Sequence, residues 1–450
     1  MVGAAPPSLL PQRFADWFAT RGWAAREHQL AMVAKAREGR HALLIAPTGG
    51  GKTLAGFLPS LIELAERPPA NGPRGIHTLY ISPLKALAVD VERNLMTPIR
   101  EMGLDIVAES RTGDTGVSRK QRQKVRPPDI LLTTPEQLAL LCAWEGARGL
   151  FEDLRCVVLD EIHTLWPTKR GDLLALDLAR LQTLAPNLRR VGLSATVDDP
   201  DLLRAWMGLR EGDVDLVHGP PGPRPVVETL VSEGRVPWAG HTAEHAMAEV
   251  YQIIKRHRTT LVFVNTRFQA EFAFQELWKL NDDSLPIALH HGSLAAEQRR
   301  RVEAAMARGE LKAVVCTSTL DLGIDWGDVD LVIQLAAPKG AARMVQRIGR
   351  ANHRLDEPSK AIFVPANRFE MLECQAAIEA IAENSLDTEG PRTGALDVLA
   401  QHVMGCACSE PFDLVALYDE IRTAGPYRDL AWEDYEAVVD FVSTGGYALK

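Results

Sequence analysis

Two short runs in this chain carry residue types suited to one chemistry: Ala46-Pro47-Thr48-Gly49-Gly50-Gly51-Lys52-Thr53 and, further on, Asp160-Glu161. Glycines let backbone N–H groups wrap phosphate oxygens, a lysine neutralises the β and γ oxygens, and a threonine hydroxyl can ligate magnesium. An apolar run ending in Asp-Glu supplies a carboxylate for the same ion and a second one to activate water. Thr48, Gly49, Gly50, Gly51, Lys52 and Thr53 are therefore read as phosphate-binding, Thr53 and Asp160 as the Mg2+ ligands, and Glu161 as the base. Ala46 stands where the strict pattern has glycine, and a flexible glycine turn or a solvated acidic loop is the plain alternative for either run alone. In this order, each at the end of an apolar strand, they predict hydrolysis of ATP. His163, two residues beyond Glu161, suits a neutral sensor between the γ-phosphate region and Ser194 and Thr196, because Glu161 already supplies the base.

The elements that must position these groups can be read from periodicity. "HALLIAP", "TLYIS", "DILLTT", "CVVLD" and "RVGLS" are short apolar runs within residues 41 to 194, separated by amphipathic stretches. Fully apolar strands alternating with helices are the pattern of a parallel sheet covered on both faces. "HGPPGPRPVV" opens a Pro/Gly-rich stretch, 218–240, expected to be a linker. The same rhythm restarts with "TTLVFVN", "PIALHH", "KAVVCT", "DLVIQL" and "AIFVP", so two α/β sheets in tandem are expected, over 1–217 and 241–390. From 391 to 450 the apolar spacing of three and four predicts helices alone, a trihelical unit suited to a winged-helix core.

Composition is that of a soluble globular chain, 46% apolar and 24% charged, with a formal net charge of -9. Acidity excludes a uniformly basic nucleic-acid binder, so any such contact must use local patches. The six cysteines, Cys142, Cys156, Cys316, Cys374, Cys406 and Cys408, form no paired framework and are expected as reduced thiols. His290-His291 and Cys406-x-Cys408 lack the remaining ligands of a metal site, so no structural metal is assigned. The N-terminus lacks a secretion signal and no run of about 18 apolar residues follows, giving an expectation of a cytoplasmic protein without membrane contact. "SRKQRQKVR" (118–126) and "QRRR" (298–301) suit a phosphate backbone or a solvated helix face equally, and Trp166 and Trp326 suit core packing better than base stacking.

With these motifs in order, the chain resembles a superfamily 2 helicase of the DExH type. Gln29 in "REHQL" is similar to the adenine-reading glutamine, "SPLKAL" (82–87) to motif Ia, "TTPEQL" (133–138) to motif Ib, and "SAT" (194–196) to motif III. "LVFVNTR", "HHGSL" and "TSTLDLGID" are similar to motifs IV, IVa and V. "RTGDT" (111–115), "KRGDLLAL" and "LDVLAQHV" narrow the resemblance to the large-helicase-related (Lhr) group, nearest the bacterial ligase-associated helicases of DNA damage response. The resemblance implies two RecA-like domains, a winged helix, and further sequence beyond Lys450. It implies single-stranded DNA as track, 3' to 5' movement, a repair setting at the nucleoid, and a DNA ligase or other repair protein as partner. Ser82, Pro83, Lys85, Thr133, Thr134, Asn265, Ser293 and Thr317 would grip the strand through phosphates, which carries no sequence information. An RNA or DNA/RNA-hybrid helicase shares almost every grip residue, and a scaffold using ATP only as a switch is the reading without enzymatic work.

"QRIGRANHR" (346–354) is similar to motif VI. Arg350 would stabilise charge on the departing phosphoryl group once the two domains close, a role worth on the order of 1000-fold in rate. Gln346 would sit beside the nucleotide, with Gly323 and Asp325 of motif V and Arg354 as further nucleotide-binding residues, while Arg347 suits a structural or nucleic-acid-facing role. Many family members read G-R-x-G-R; here Asn352 and His353 shift the last arginine by one position, so Arg354 does not simply inherit the second finger.

Overall fold

The computed structural model describes residues 9–47, 49–68, 74–195, 197–210, 212–321, 329–351, 357–383, 385, 390 and 392–445. They divide into two compact units, one spanning 1–46, 51–220 and 389–450, the other 47–50 and 221–388.

In the first unit, β1 (His41–Ile45), β2 (Thr78–Ile81), β3 (Ala108–Arg111), β4 (Ile130–Thr133), β5 (Cys156–Leu159), β6 (Arg189–Ser194) and β7 (Val214–His218) form one parallel sheet in the order β3-β4-β2-β5-β6-β1-β7. Every residue of β2, β4, β5 and β6 is buried, as a sheet covered on both faces requires. The registers Ile45↔Ser194, Ile81↔Leu159 and Ile81↔Thr133 bring the C-terminal ends of β1, β6, β2, β5 and β4 to one edge. In open parallel sheets that edge is where ligands bind. The helix Lys52–Glu66 lies so close to the sheet that a Cβ on Gly56 would stand 2.9 Å from Leu193 Cδ1.

The C-terminal helices Leu396–Ser409, Leu414–Ile421 and Trp432–Thr444 share a core with this unit. Leu399, Val403, Leu417, Ile421, Tyr427 and Tyr435 join the apolar cluster of the helix Lys169–Leu184. Asp172 Oδ2 accepts a hydrogen bond from Ala395 N at 3.2 Å, and Arg428 donates to the Ala205 carbonyl at 2.9 Å. Leu396–Ser409 and Leu414–Ile421 pack on Lys169–Leu184, and Trp432–Thr444 packs on Leu396–Ser409.

In the second unit, β8 (Val226–Thr229), β9 (Thr260–Phe263), β10 (Ile287–His290), β11 (Ala313–Cys316), β12 (Leu331–Leu335) and β13 (Lys360–Val364) form a parallel sheet ordered β10-β11-β9-β12-β13-β8. The expected linker 218–240 therefore needs correcting: it contributes β8, an edge strand paired with β13. Four of its prolines, Pro220, Pro221, Pro223 and Pro225, precede the strand and the fifth, Pro237, follows it, so no missing N–H group costs a ladder bond. No helix among the described residues is long and apolar enough to cross a membrane. The cysteines are free; five are buried and Cys408 is exposed.

Candidate ATP and nucleic-acid site

The glycine-rich loop joins β1 to the helix Lys52–Glu66. Gly49 (φ 74) and Gly51 (φ 77) take left-handed backbone, a conformation open to glycine at little cost. At Gly51 the turn is also crowded, since a Cβ there would stand 2.9 Å from Gln29 Nε2. Gln29, buried, donates toward the Gly51 carbonyl at 3.5 Å and accepts from Arg26 N at 3.0 Å. The adenine-reading candidate is thus locked to the loop that would hold the phosphates. Lys52 is buried at the first position of the helix and Thr53 is half-buried beside it, where the helix N-terminus favours anions. Thr48 lies outside the described residues, as do Thr196, Gly323, Asp325, Trp326 and Arg354.

Asp160 and Glu161 follow β5 and are 4% and 7% exposed. Glu161 has φ 46, a strained backbone for a residue with a Cβ, of the kind that collects at functional sites. Asp160 Oδ1 accepts from Glu161 N at 2.9 Å and Oδ2 accepts the Tyr80 hydroxyl. Burial, and then the neighbouring Glu161 charge, push the Asp160 carboxyl above its ordinary range, against the pull of Tyr80 and Lys52. Two buried carboxylates crowded together and opposed by one lysine are a donor set that fits a hard dication such as Mg2+.

His163 sits between two motifs: Nε2 is 3.6 Å from Glu161 Oε2, and Nδ1 is 2.8 Å from Ser194 Oγ. A change in charge or hydrogen bonding at Glu161 can therefore reach the end of β6 through one ring. Tyr80 escaped sequence reasoning. Its ring stacks on Phe57 of the Lys52–Glu66 helix at 5.2 Å and its hydroxyl holds Asp160, coupling the loop helix to the metal-binding candidate. The signal was a lone hydroxyl-bearing aromatic within the aliphatic run "TLYI".

The grip candidates separate by exposure. Ser82 and Thr133 are fully buried, with Ser82 Oγ donating to the Leu84 carbonyl at 3.1 Å and Thr133 Oγ1 to the Arg111 carbonyl at 2.8 Å. Both hydroxyls donate to carbonyls of their own unit and shape the loops that leave their strands. Pro83 is buried and its carbonyl accepts from Arg170 at 2.9 Å, Thr134 is buried at the residue before the helix Pro135–Cys142, and Lys85 is exposed with Nζ 3.1 Å from Asp114. In the second unit Ser293 is exposed and Thr317 half-buried, both past strand ends on the edge set by His290↔Cys316. Asn265 Nδ2 donates to the Ala337 carbonyl at 2.8 Å. The basic helix Val117–Val125 is laced by ion pairs, Arg122 to Glu109 at 2.6 Å and Arg119 to Glu92 at 3.3 Å, and Trp166 is core.

Within motif VI the helix Ala341–Ile348 splits its arginines. Arg347 is 2% exposed and donates to Asp321 at 2.8 and 3.3 Å and to Gln334 Oε1 at 2.6 Å, with its guanidinium 4.8 Å from the Phe263 ring. Of the two roles expected for it, the structural one applies, because all three guanidinium nitrogens donate to buried partners inside the unit. Gln346 is half-buried on the helix and Arg350 is buried just past its end.

Residues 26–204 match the DEAD/DEAH box helicase family, 245–354 the helicase conserved C-terminal domain, and 379–450 the winged helix domain of large helicase-related protein. The chain belongs to the large-helicase-related family. Its relatives include the Lhr helicase/probable uracil glycosylase of Mycolicibacterium smegmatis, 34% identical over 98% of this chain and 32% of that protein. Another is the ATP-dependent helicase Lhr-Core of Methanothermobacter thermautotrophicus, 36% identical over 97% of this chain and 53% of that one. Among solved structures, Mycobacterium smegmatis helicase Lhr bound to ssDNA and AMP-PNP superposes with a TM-score of 0.88 at 35% identity, over 97% of this chain and 58% of that chain. This Lhr-family chain spans about half the length, or less, of these curated relatives. The two parallel-sheet units are RecA-like, and the C-terminal helices belong to the Lhr winged-helix region.

Proposed function

We propose that this chain is the motor core of an ATP-driven translocase or helicase acting on single-stranded DNA, moving 3' to 5' in DNA repair. The observation that carries the reading is convergence: the loop with Lys52, the Asp160-Glu161 pair and Ser194 meet at one sheet edge, and His163 joins Glu161 to Ser194. Lys52 and the glycine-loop amides bind the triphosphate, and Mg2+ held by Thr53 and Asp160 would screen its charge. Glu161 takes the proton from the attacking water, and Arg350 stabilises the charge on the γ-phosphate. His163 passes the change at Glu161 to motif III, which lets the grip on nucleic acid follow the nucleotide state. Strand contact falls to Lys85, Ser293, Thr317 and the backbone at the strand ends, a sequence-tolerant set. The ssDNA seen in the mycobacterial Lhr structure supports the choice of track, and the motif likeness to ligase-associated helicases supports the repair setting and a ligase partner.

ATP turnover measured with single-stranded DNA, with RNA and with neither tests this. DNA is expected to stimulate most; no stimulation by either polymer would sink the motor reading, and stronger stimulation by RNA would replace DNA as the track. Lys52→Ala and Glu161→Gln should each abolish turnover, and substantial residual activity in a clean preparation would overturn the site assignment.

A further inference from the structure

Between the helix Lys169–Leu184 and the C-terminal helices lies a buried polar cluster that nucleotide chemistry does not use. His402 and Cys406 are one turn apart on Leu396–Ser409, 5% and 3% exposed, and Glu420, 9% exposed, ends Leu414–Ile421. One ligand atom from each of the three lies within 4.8 Å of the others. Asp177, 1% exposed, places Oδ1 3.9 Å from His402 Nδ1. Arg180 bonds Glu410 at 2.7 Å and Glu420 at 3.4 Å.

We propose that His402 Nε2, Cys406 Sγ and Glu420 form a zinc-class cation site, with Asp177 orienting the histidine. Four observations carry it. The Sγ to Nε2 separation is 3.5 Å, and a tetrahedral zinc with Zn–S of about 2.3 Å and Zn–N of about 2.0 Å sets those atoms about 3.5 Å apart. Glu420 Oε1 and Asp177 Oδ2 are buried without a hydrogen-bond partner among the described residues, an expense that proteins seldom leave uncompensated. Metal-ligating histidines characteristically give their other ring nitrogen to a carboxylate, and Asp177 Oδ1 faces His402 Nδ1 at 3.9 Å, somewhat longer than a hydrogen bond. The charges are also complementary: a thiolate and two carboxylates face one dication, while Arg180 is shared between Glu420 and Glu410. Two of the three protein ligands come from one turn of one helix, and the third from the next helix, so water or one small ligand completes the coordination. The ion would staple the winged-helix region to the helix that follows the Asp160-Glu161 box.

Titration of the chelator-stripped, reduced full chain with cobalt(II) decides this, because a thiolate-to-cobalt charge-transfer band reports Cys406 bonding and the oxygen ligands of the nucleotide site give none. One equivalent per chain is expected to develop the band, to survive in Lys52→Ala, to be lost in Cys406→Ser, and to weaken about 10- to 100-fold in affinity in Asp177→Asn. No band in the wild-type chain, or a band that persists in Cys406→Ser and so arises at exposed Cys408, would overturn the proposal. Should Cys406→Ser fail to fold, Asp177→Asn carries the decision, and unchanged cobalt affinity there would refute the site. The readout involves no ATP turnover, so its failure leaves the motor reading intact.

Discussion

Replacing Arg347 with methionine should destabilise the second sheet by about 3 kcal/mol without touching the phosphates. The guanidinium makes three hydrogen bonds to two partners that are 5% and 0% exposed, Asp321 and Gln334. Removing one member of a buried ion pair costs about 3–5 kcal/mol because a charge is left behind in a poor solvent. Two features place this case at the lower end. Methionine keeps much of the aliphatic stem, and Arg343, whose Nε is 3.9 Å from Asp321, can lean inward from its half-exposed position. Amide hydrogen exchange in β12, which holds Gln334, and in β9, paired to it at Phe263, reads the loss locally: about 3 kcal/mol is an acceleration on the order of 100-fold in native-state opening. The double variant Arg347→Met/Asp321→Leu removes the stranded charge as well and should recover most of the protection. An acceleration under about fivefold in the single variant, roughly 1 kcal/mol, would refute the buried-pair argument.

Arg350→Ala should instead cost on the order of 1000-fold in ATP turnover with exchange in β9 and β12 unchanged; Arg354→Ala should cost less, and equal, severe losses in both would contradict the ranking. Gly51→Ala forces a Cβ onto φ 77 and to within 2.9 Å of Gln29 Nε2, so KM for ATP should rise at least about tenfold, with a stability loss of about 1–3 kcal/mol; an unchanged KM would show that the turn and Gln29 are independent of the nucleotide. Burial, helped by nearby Arg67, lowers His77 from 6.5 to about 3, and burial with Arg190 lowers His41 to about 4. Both folded values lie below the unfolded one, so their stability contribution is complete above pH 6.5 and is lost as pH falls toward 4 and 3. At pH 5 each costs about 2 kcal/mol, so Tm should drop between pH 7.5 and 5 and His77→Gln should soften the drop; a flat Tm across that window would be inconsistent with neutral buried histidines.

Much of the fold was legible because parallel strands buried on both faces must be apolar throughout and the loops at their C-terminal ends must carry glycine, threonine and acid for phosphate chemistry. Those are local demands, met by neighbours in the chain, and "LLIAPTGGGKT" and "CVVLDEIH" show them without any tertiary information. Strand β8 was not legible, since an edge strand of Val226–Thr229 behind four prolines lacks the apolar excess that marks a central one. Nor was the burial of Ser82 and Thr133, because a hydroxyl at a strand end can face out to a phosphate or inward to a carbonyl, and only the neighbouring strand decides which.

By itself the sequence determined the two sheets, the triphosphate loop, the acidic pair and the family, because each is written in contiguous residues whose spacing is the chemistry. Tertiary structure decided what each charge is for. It chose the structural over the nucleic-acid-facing role for Arg347 by pairing it with Asp321, linked His163 to Ser194, and brought His402, Cys406 and Glu420 together near Asp177. The physical reason is that desolvation and pairing depend on what packs against a group, and those neighbours come from segments far apart in the chain.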